Sequence, residues 1–351
     1  MESAAPLHVP TLECMQPPDE VIEPRGHLSA SEMVTADEAF AWQAARCRAS
    51  GSPVAAALLH ACAESAQQWQ TACGLDSTVR FGDHIPLRVM AAVHYLAITR
   101  AAAPLGLFFP TLGGEAHADS PQFAELVAAA LSENPDTVAD FIARAPQTNE
   151  PGRQTPLACA LQALNRNRPV DLVELGCSAG LNLGLEQPAN APRIVSRRGC
   201  DLNPIDAHSV EGRARLSAYV WVDDIERFRR LGRAIEQAQQ QTIEVLACAA
   251  AEFVRDLRPH PEHTLLIWTS AFEPYLDAHA AAVLAQSIAQ LATRMSEAST
   301  LVEASWEDAG DTSEPERAFA LRLRTWAAGS VESERVIARG SAHGAHFAPV
   351  P

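Results

Sequence analysis

Residues 170–183 read VDLVELGCSAGLNL, and this stretch decides the fold. Its first part, Val170–Leu175, is a short and mostly apolar run with the length of a buried strand. The run ends in a turn with Gly176 and Gly180, where the backbone can bend sharply and approach a ligand closely. We expect a helix to follow, with its first N–H groups pointing at that ligand. The stretch therefore predicts a strand, a glycine-rich turn and a helix.

Similar apolar runs recur further along the chain, with helical segments between them. The runs are Val195–Cys200, Ile243–Ala247, Thr264–Thr269 and Thr300–Ala304. The helical segments are Asp224–Gln240, Ala251–Leu257 and Pro274–Met295. Strands that alternate with helices predict an α/β fold, with a parallel sheet and helices on both of its faces. Ligands of such sheets bind at the carboxyl ends of the strands, near the point where the strand order reverses.

The first half of the chain has a helical pattern. Thr35-Ala-Asp-Glu38 is typical of a helix start, with Thr35 as the N-cap. Prolines at positions 53, 86, 121 and 135 stand where the first turn of a helix accepts them. Between residues 35 and 166 no strand alternation is found. We therefore predict a flexible acidic tail over residues 1–33, a helical domain over 34–166 and the α/β domain over 167–351.

Composition and charge limit the possible partners. The formal net charge of −16 repels nucleic-acid phosphates and anionic lipids. No run approaches the roughly 20 apolar residues that span a bilayer, and the N-terminus lacks the pattern of a secretory signal. The eight cysteines form no CxxC pair, which favours free thiols over disulfides or zinc. We expect a cytoplasmic protein with a small-molecule or peptide-like substrate, and no nucleic-acid partner, membrane partner or metal.

The chain contains no lysine. Lysine is the amine that forms Schiff bases, and it is the point charge of a phosphate-binding P-loop. Pyridoxal phosphate enzymes, Schiff-base aldolases and Walker-type nucleotide hydrolases are therefore excluded.

Two carboxylates accompany the glycine-rich turn. Glu174 lies two residues before Gly176, where it can bind a hydroxyl or an ammonium group. Asp201 follows the next predicted strand, 25 residues after Gly176, where it can accept both hydroxyls of a ribose. Two structural alternatives stay open. The first is a tight turn without a ligand, and the second is Asp201 acting as a turn cap before Pro204.

These residues carry a family resemblance. Glu-Leu-Gly-Cys-x-x-Gly at 174–180, followed by Gly-x-Asp-x-Asn-Pro at 199–204, resembles the first two cofactor motifs of class I methyltransferases. More closely, the chain resembles the bacterial family known as domain of unknown function 2332, over roughly positions 40 to 346. Its most specific segments are Gln147–Glu150 and Ser178–Asn182. The resemblance implies a Rossmann-like methyltransferase-type sheet, S-adenosylmethionine as the cofactor, and methyl transfer to a small-molecule or peptide-like acceptor.

The resemblance also implies a set of cofactor-binding residues. They are Glu174, Gly176, Cys177, Ser178, Gly180, Asn182, Asp201, Asn203 and Ser270. Glu174 and the turn would face the methionine part of the cofactor, Asp201 would hold the ribose, and the substrate would lie near Ser270. Two positions depart from the pattern. Ala249 stands where an acid usually meets the adenine amine, and Ser178 replaces the usual central glycine.

A polar connector, Gln147-Thr148-Asn149-Glu150, precedes the sheet. It could fold over the carboxyl edge and contact the substrate, so Glu150 and Asn149 are our candidate catalytic residues. The structural alternative is a helix N-cap network in which Glu150 pairs with Arg153. His94 is a second candidate base, but it lies on an apolar helix, which favours a role in the core.

Two other functions compete with methyl transfer. Gly176-Cys-Ser178-Ala-Gly180 matches the nucleophile elbow of α/β-hydrolases, and Asp308 and His343 follow in the order that such a triad needs. The helical first half argues against a hydrolase, because that elbow should follow several strands. The third hypothesis is a non-catalytic member that binds a nucleoside or a protein, and the missing acid at Ala249 favours it.

Overall fold

The computed structural model describes residues 31–310 and 317–350. It is a mixed α/β structure, in which a helical part precedes an eight-stranded, mostly parallel sheet. The predicted tail lies outside the described residues except for its last three. Within these ranges no helix is both long enough and apolar enough to cross a bilayer.

The helical part begins where the sequence predicts. The side chain of Thr35 accepts a hydrogen bond from the Glu38 N–H, and the Glu38 carboxylate accepts one from the Thr35 N–H, which completes a capping box. The helices are α1 (Ala36–Ala49), α2 (Pro53–Glu64), α3 (Ala66–Cys73), α4 (Ile85–Ile98), α5 (Pro121–Glu133) and α6 (Pro135–Ala143). The four prolines all fall in first turns, as predicted.

The helical part also holds two short strands that the sequence analysis did not find. Met33–Thr35 (β1) and Thr78–Arg80 (β2) pair as a short antiparallel ladder. Strands of three residues are too short to show alternation in the sequence.

His94 joins the helical part to a later segment of the chain. It is fully buried on α4, and its Nδ1 lies 3.0 Å from the Val220 carbonyl oxygen and 3.2 Å from that of Ala218. Burial lowers the pKa of His94 to about 4, so the imidazole is neutral at physiological pH. The prediction that His94 is a core histidine is confirmed. Tyr219 and Val222 belong to the same buried cluster as α1, α2 and α4.

The sheet contains every predicted strand. The strands are β3 (Val170–Leu175), β4 (Ile194–Asp201), β5 (Glu244–Ala247), β6 (Thr264–Ser270), β7 (Thr300–Asp308), β8 (Phe319–Ala327), β9 (Ser330–Gly340) and β10 (Ala348–Pro349). They lie in the order β10-β9-β8-β7-β6-β3-β4-β5. Strands β3 to β7 are parallel, and β8 to β10 add an antiparallel extension that the sequence did not predict. The strand order reverses between β3 and β6.

Helices cover both faces of the sheet, as predicted. They are α7 (Gln154–Gln162), α8 (Val210–Ala218), α9 (Ile225–Gln239), α10 (Ala250–Asp256) and α11 (Ala278–Thr293). α7 packs with Leu172 and Trp268 on one face. α10 and α11 pack with Val173 and Ile267 on the other. The apolar side of α7 is thus part of the hydrophobic core of the sheet. α7 nevertheless lies before position 167, where the sequence predicts that the α/β domain begins. α11 begins later than the predicted Pro274, because Glu273–Tyr275 forms a separate 3₁₀ turn and Asp277 caps the helix.

The helix predicted after Gly180 does not form. Residues 176–185 make a series of turns instead, with positive φ at Gly176, Ser178 and Gly180. Residues 177–185 are all buried, so the segment has no exposed side of the kind that a helix on the sheet surface presents. The N–H groups of the segment are therefore not presented as a helix N-terminus.

Candidate functional site

A cavity of about 560 Å³ opens at the carboxyl edge of the parallel sheet. Its floor comes from residues at or just beyond the ends of β3, β4, β5 and β6. These are Glu174, Gly176, Ser178, Cys200, Asp201, Leu202, Cys248, Ala249, Ser270, Ala271 and Phe272. The volume lies in the range of small-molecule and cofactor sites, and the position is the edge that the sequence predicts.

Two further walls close the cavity. The connector before the sheet forms one wall, with residues 145–149 and Arg153. The other wall is formed by the first turn of α10, the first half of α11 and the residues just before α11, and it is largely apolar. Its members include Ala250, Ala251, Glu252, Leu276, His279, Ala280, Val283 and Leu284.

Seven of the eleven candidate site residues line this cavity. They are Asn149, Glu174, Gly176, Ser178, Asn182, Asp201 and Ser270. The other four, Glu150, Cys177, Gly180 and Asn203, do not. Lining residues that the sequence did not single out include Glu252, Phe272, Tyr275 and His279. Each of these lies within about ten positions after the end of β5 or β6. Their place after a predicted strand could have identified them from the sequence.

Glu174 is a buried carboxylate at the cavity floor. Only 1% of the residue is exposed. Its Oε1 accepts a hydrogen bond of 3.1 Å from the Asn182 amide. Its Oε2, like Asn182 Oδ1, has no hydrogen-bond partner among the described residues. Burial raises the pKa of Glu174 to about 8, against the opposing effects of Asn182 and Arg153. Two buried polar atoms without partners thus belong to residues that line the cavity. A cationic hydrogen-bond donor would satisfy both atoms once Glu174 is ionised.

Asp201 joins the ends of β3 and β4. Its Oδ2 accepts from the Ser178 N–H at 2.9 Å. Its Oδ1 accepts from the Asn203 N–H at 2.9 Å and from Gln147 Nε2 at 3.2 Å. The prediction of a turn cap before Pro204 is confirmed. The same carboxylate also lines the cavity.

The N–H groups of the glycine-rich turn are already bonded within the protein. Ala179 and Leu181 donate to Asn149 Oδ1 at 3.2 and 3.1 Å. Gly180 donates to the Cys177 carbonyl at 2.7 Å, and Ser178 donates to Asp201. Because these donors are taken, the turn does not offer a row of free N–H groups to a phosphate.

Gly176 is required by packing inside the protein. Its φ is +70°, and a Cβ there would overlap the ring of Phe272. The Phe272 backbone is held in turn by Glu307, whose Oε1 accepts from the Phe272 N–H at 3.0 Å. Glu307 is buried, and this burial raises its pKa to about 7. The ring of Phe272 is thus fixed between the turn and the cavity.

Glu150 is an anchor away from the cavity. Its side chain is completely buried. Oε2 lies 2.5 Å from Arg227 Nε, and Oε1 lies 3.3 Å from Arg230 Nε. Burial opposes ionisation, but Arg227, His343 and the Gly152 N–H lower the pKa of Glu150 to about 2. Glu150 thus pairs with Arg227 and Arg230, and not with Arg153 as the alternative interpretation of the sequence has it. Arg153 instead donates to the carbonyl oxygens of Ala342 and Ser270.

The described residues do not assemble the hydrolase triad. Ser178 Oγ donates to Gln147 Oε1 at 2.8 Å. The imidazole of His343 lies 3.7 Å from Glu150, and Asp308 accepts from the Gly310 N–H. Ser178, Asp308 and His343 therefore contact other residues and not one another.

Comparison with known proteins gives a family. No curated protein matches the chain. The family described as "Uncharacterized protein conserved in bacteria (DUF2332)" matches residues 37–189 and 184–348, which together cover nearly all of the helical part and the sheet. The chain therefore belongs to this bacterial family.

Proposed function

We propose that the cavity binds S-adenosylmethionine and that the protein transfers its methyl group to a small-molecule or peptide-like acceptor. The observation that carries this proposal is the pair of unpartnered buried oxygens, Glu174 Oε2 and Asn182 Oδ1, at the floor of the cavity. When bound, S-adenosylmethionine supplies a methyl group on a sulfonium sulfur. The residues of this chain bind and orient the reactants.

The amino-acid end of the cofactor fits the residues around Glu174. An α-ammonium group would donate to Asn182 Oδ1 and to the ionised form of Glu174. Arg153 lines the same cavity and acts electrostatically on Glu174, so a guanidinium is at hand for the α-carboxylate. A carboxylate and a guanidinium in one cavity match a zwitterion better than they match a phosphate.

The nucleoside end fits the walls at β4 and β5. Asp201 uses three of its roughly four acceptor positions within the protein, which leaves one for a ribose hydroxyl. Ala249 leaves an apolar surface for a base, together with Ala250 and Leu276. The acid that is missing at position 249 has a substitute three residues later. Glu252 lines the cavity from the first turn of α10, and we assign it to the adenine amine.

The topology supports the same proposal. Counted along the chain, the five parallel strands lie in the order 3-2-1-4-5, which is the order of Rossmann-type sheets. The cavity lies where that order reverses, between the ends of β3 and β6. We therefore propose a Rossmann-like methyltransferase-type sheet, in which the antiparallel strand β8 replaces a sixth parallel strand.

The acceptor would lie beside Phe272 and Tyr275, beyond the end of β6. Methyl transfer mostly requires that the acceptor and the methyl group be held close and aligned. Neither base proposed from the sequence lines the cavity. Glu150 is held by its ion pairs, and His94 lies in the helical core. His279 lines the cavity on α11, and we propose it as the residue that accepts the acceptor's proton.

Thermal unfolding with millimolar S-adenosylmethionine or S-adenosylhomocysteine tests the cofactor. A ligand at a hundred times its Kd adds about 2.7 kcal/mol to the free energy of unfolding. We expect this stabilisation in the wild type and its loss in Glu174→Ala, which removes the carboxylate at the cavity floor. Glu186→Ala is the matched control, because Glu186 is exposed and does not line the cavity.

The outcomes separate the competing functions. No stabilisation of the wild type by either ligand would refute the cofactor assignment. Stabilisation without turnover across an acceptor screen would favour the non-catalytic nucleoside-binding hypothesis. Stabilisation that persists in Glu174→Ala would place the ligand elsewhere.

A further inference from the structure

The turn after β3 is shaped by a residue that lies 30 positions before it. Asn149 Oδ1 accepts from both Ala179 and Leu181, and this amide is 7% exposed. No residue of the turn provides these two bonds. The conformation of the segment that carries Ser178 and Asn182 therefore depends on where Asn149 is held.

Asn149 is itself held in an uncommon conformation. Its φ is +30°, in the left-handed region that asparagine tolerates better than most residues. On one side, Gln147 donates to the Asn203 carbonyl at 2.9 Å and accepts from Ser178 Oγ. On the other side stands Glu150. A left-handed residue between two anchored neighbours has little freedom to turn away from its partners.

Glu150 is the stronger of the two anchors. It contacts Arg227 and Arg230 of α9 and faces His343 from the C-terminal loop. The backbone is equally tight here, because a Cβ at Gly152 would overlap the His343 carbonyl oxygen. Leaving Arg227 and Arg230 without their carboxylate would be costly, since Arg227 is also buried. The ion cluster thus fixes the connector against α9 and the end of the chain.

We propose that Glu150 and Asn149 are positioning residues: the Glu150 ion cluster locks Asn149 in place, and Asn149 fixes the turn on which the ligand rests. Neither residue takes part in proton transfer. The expected effect on ligand affinity rests on the proposed function. The locking itself is a property of the ligand-free protein.

Amide hydrogen exchange of the free protein tests the locking directly. We would measure exchange by mass spectrometry in peptides that cover residues 176–184. Asn149→Ala removes both caps and should speed exchange there about tenfold or more. Glu150→Gln should do the same, although it leaves the cap atoms in place. Combined with Asn149→Ala, it should add nothing further at the turn, because both changes act through one contact.

A surface pair provides the control. Arg229 and Glu226 form an exposed ion pair on the same helix as Arg227, so Arg229→Ala should leave exchange at the turn unchanged. Should Glu150→Gln fail to fold, Arg230→Gln removes one cation and keeps the shorter contact with Arg227. It should then raise exchange at the turn by a smaller factor. Unchanged exchange in a folded Glu150 or Arg230 variant, or additive effects in the double variant, would overturn the proposal.

Ligand affinity separates this inference from the proposed function. If S-adenosylhomocysteine binds the wild type, its Kd should rise about tenfold in Asn149→Ala, as expected for the loss of a preorganised site. If it does not bind the wild type, the cofactor assignment fails, while the exchange experiment still decides the positioning role.

Discussion

The backbone N–H of Ser178 donates to Oδ2 of Asp201 at 2.9 Å, which ties the carboxyl end of β3 to that of β4. The same carboxylate accepts from Asn203, so it both shapes the turn and faces the cavity. A carboxylate is needed for this pair of bonds, because both partners are backbone donors. Replacement by an amide turns one acceptor oxygen into a donor nitrogen.

We predict that Asp201→Asn lowers the free energy of unfolding by about 1–3 kcal/mol, since one backbone donor loses its acceptor. It should also abolish the stabilisation by S-adenosylhomocysteine. Urea unfolding with and without the ligand measures both effects. A variant that keeps wild-type stability but loses ligand binding would mean that Asp201 acts on the ligand alone.

The buried carboxyl group of Glu174 predicts a dependence of stability on pH. Its pKa is raised to about 8 in the folded protein, while that of an exposed glutamate is near 4.3. Between these values the folded state holds one more proton than the unfolded state. The free energy of unfolding should therefore fall as pH rises, by at most about 1.4 kcal/mol per unit. Glu174→Gln should remove this residue's share of the dependence and leave that of Glu307, whose pKa is also raised. Urea unfolding from pH 5 to 8 compares the two, and parallel curves would contradict the prediction.

Ligand binding should displace the proton of Glu174. An ammonium group favours the ionised carboxylate, so binding of S-adenosylhomocysteine at pH 7 should release a proton from this residue. Titration calorimetry in buffers with different ionisation enthalpies measures that release. Glu174→Gln is the comparison, because it cannot release a proton. An equal number of protons released by both proteins would assign the release to another group.

Gly176→Ala should destabilise the protein by about 2–4 kcal/mol, from the positive φ and from the overlap with the Phe272 ring. The additional change Phe272→Ala should cost less in this background than in the wild type, because the ring is part of the conflict. Gly232→Ala is the control. Gly232 lies within α9 with nothing near its missing Cβ, so alanine there should stabilise by roughly 0.5–1 kcal/mol. The midpoints of urea unfolding measure the stability of each variant. A Gly176→Ala variant as stable as the wild type would refute the packing role of Gly176.

The sequence predicts the parallel strands better than it predicts the edge of the sheet. Strands such as β6 are buried on both faces, so their apolar runs are visible in the sequence. β9 begins with six exposed residues, and β8 carries Arg324, which pairs with Glu334. Such strands are held by their neighbours in the sheet, and their apolar signal is weak.

Contacts between distant residues also limit the prediction of the site. The positions after each strand place Glu174 and Asp201 at the cavity, because the carboxyl ends of parallel strands meet at one edge. The contacts of Arg153 with Ser270, 117 positions away, and of Glu150 with Arg227, 77 positions away, depend on the three-dimensional fold. For that reason Glu150 was expected at the substrate, whereas it anchors the connector.

The acid at position 252 offers the sharpest test of how the nucleoside is held. Position 249 precedes α10 and contributes no acceptor, whereas Glu252 lines the cavity from the first turn of that helix. We predict that Glu252→Gln weakens S-adenosylhomocysteine binding about 5- to 20-fold, because a neutral amide oxygen accepts a weaker hydrogen bond than a carboxylate does. Ala249→Asp should restore much of the affinity in the Glu252→Gln background, because it supplies a carboxylate at the end of β5. Titration calorimetry of the two single variants and the double variant measures this. If Glu252→Gln binds as tightly as the wild type, Glu252 does not hold the adenine amine.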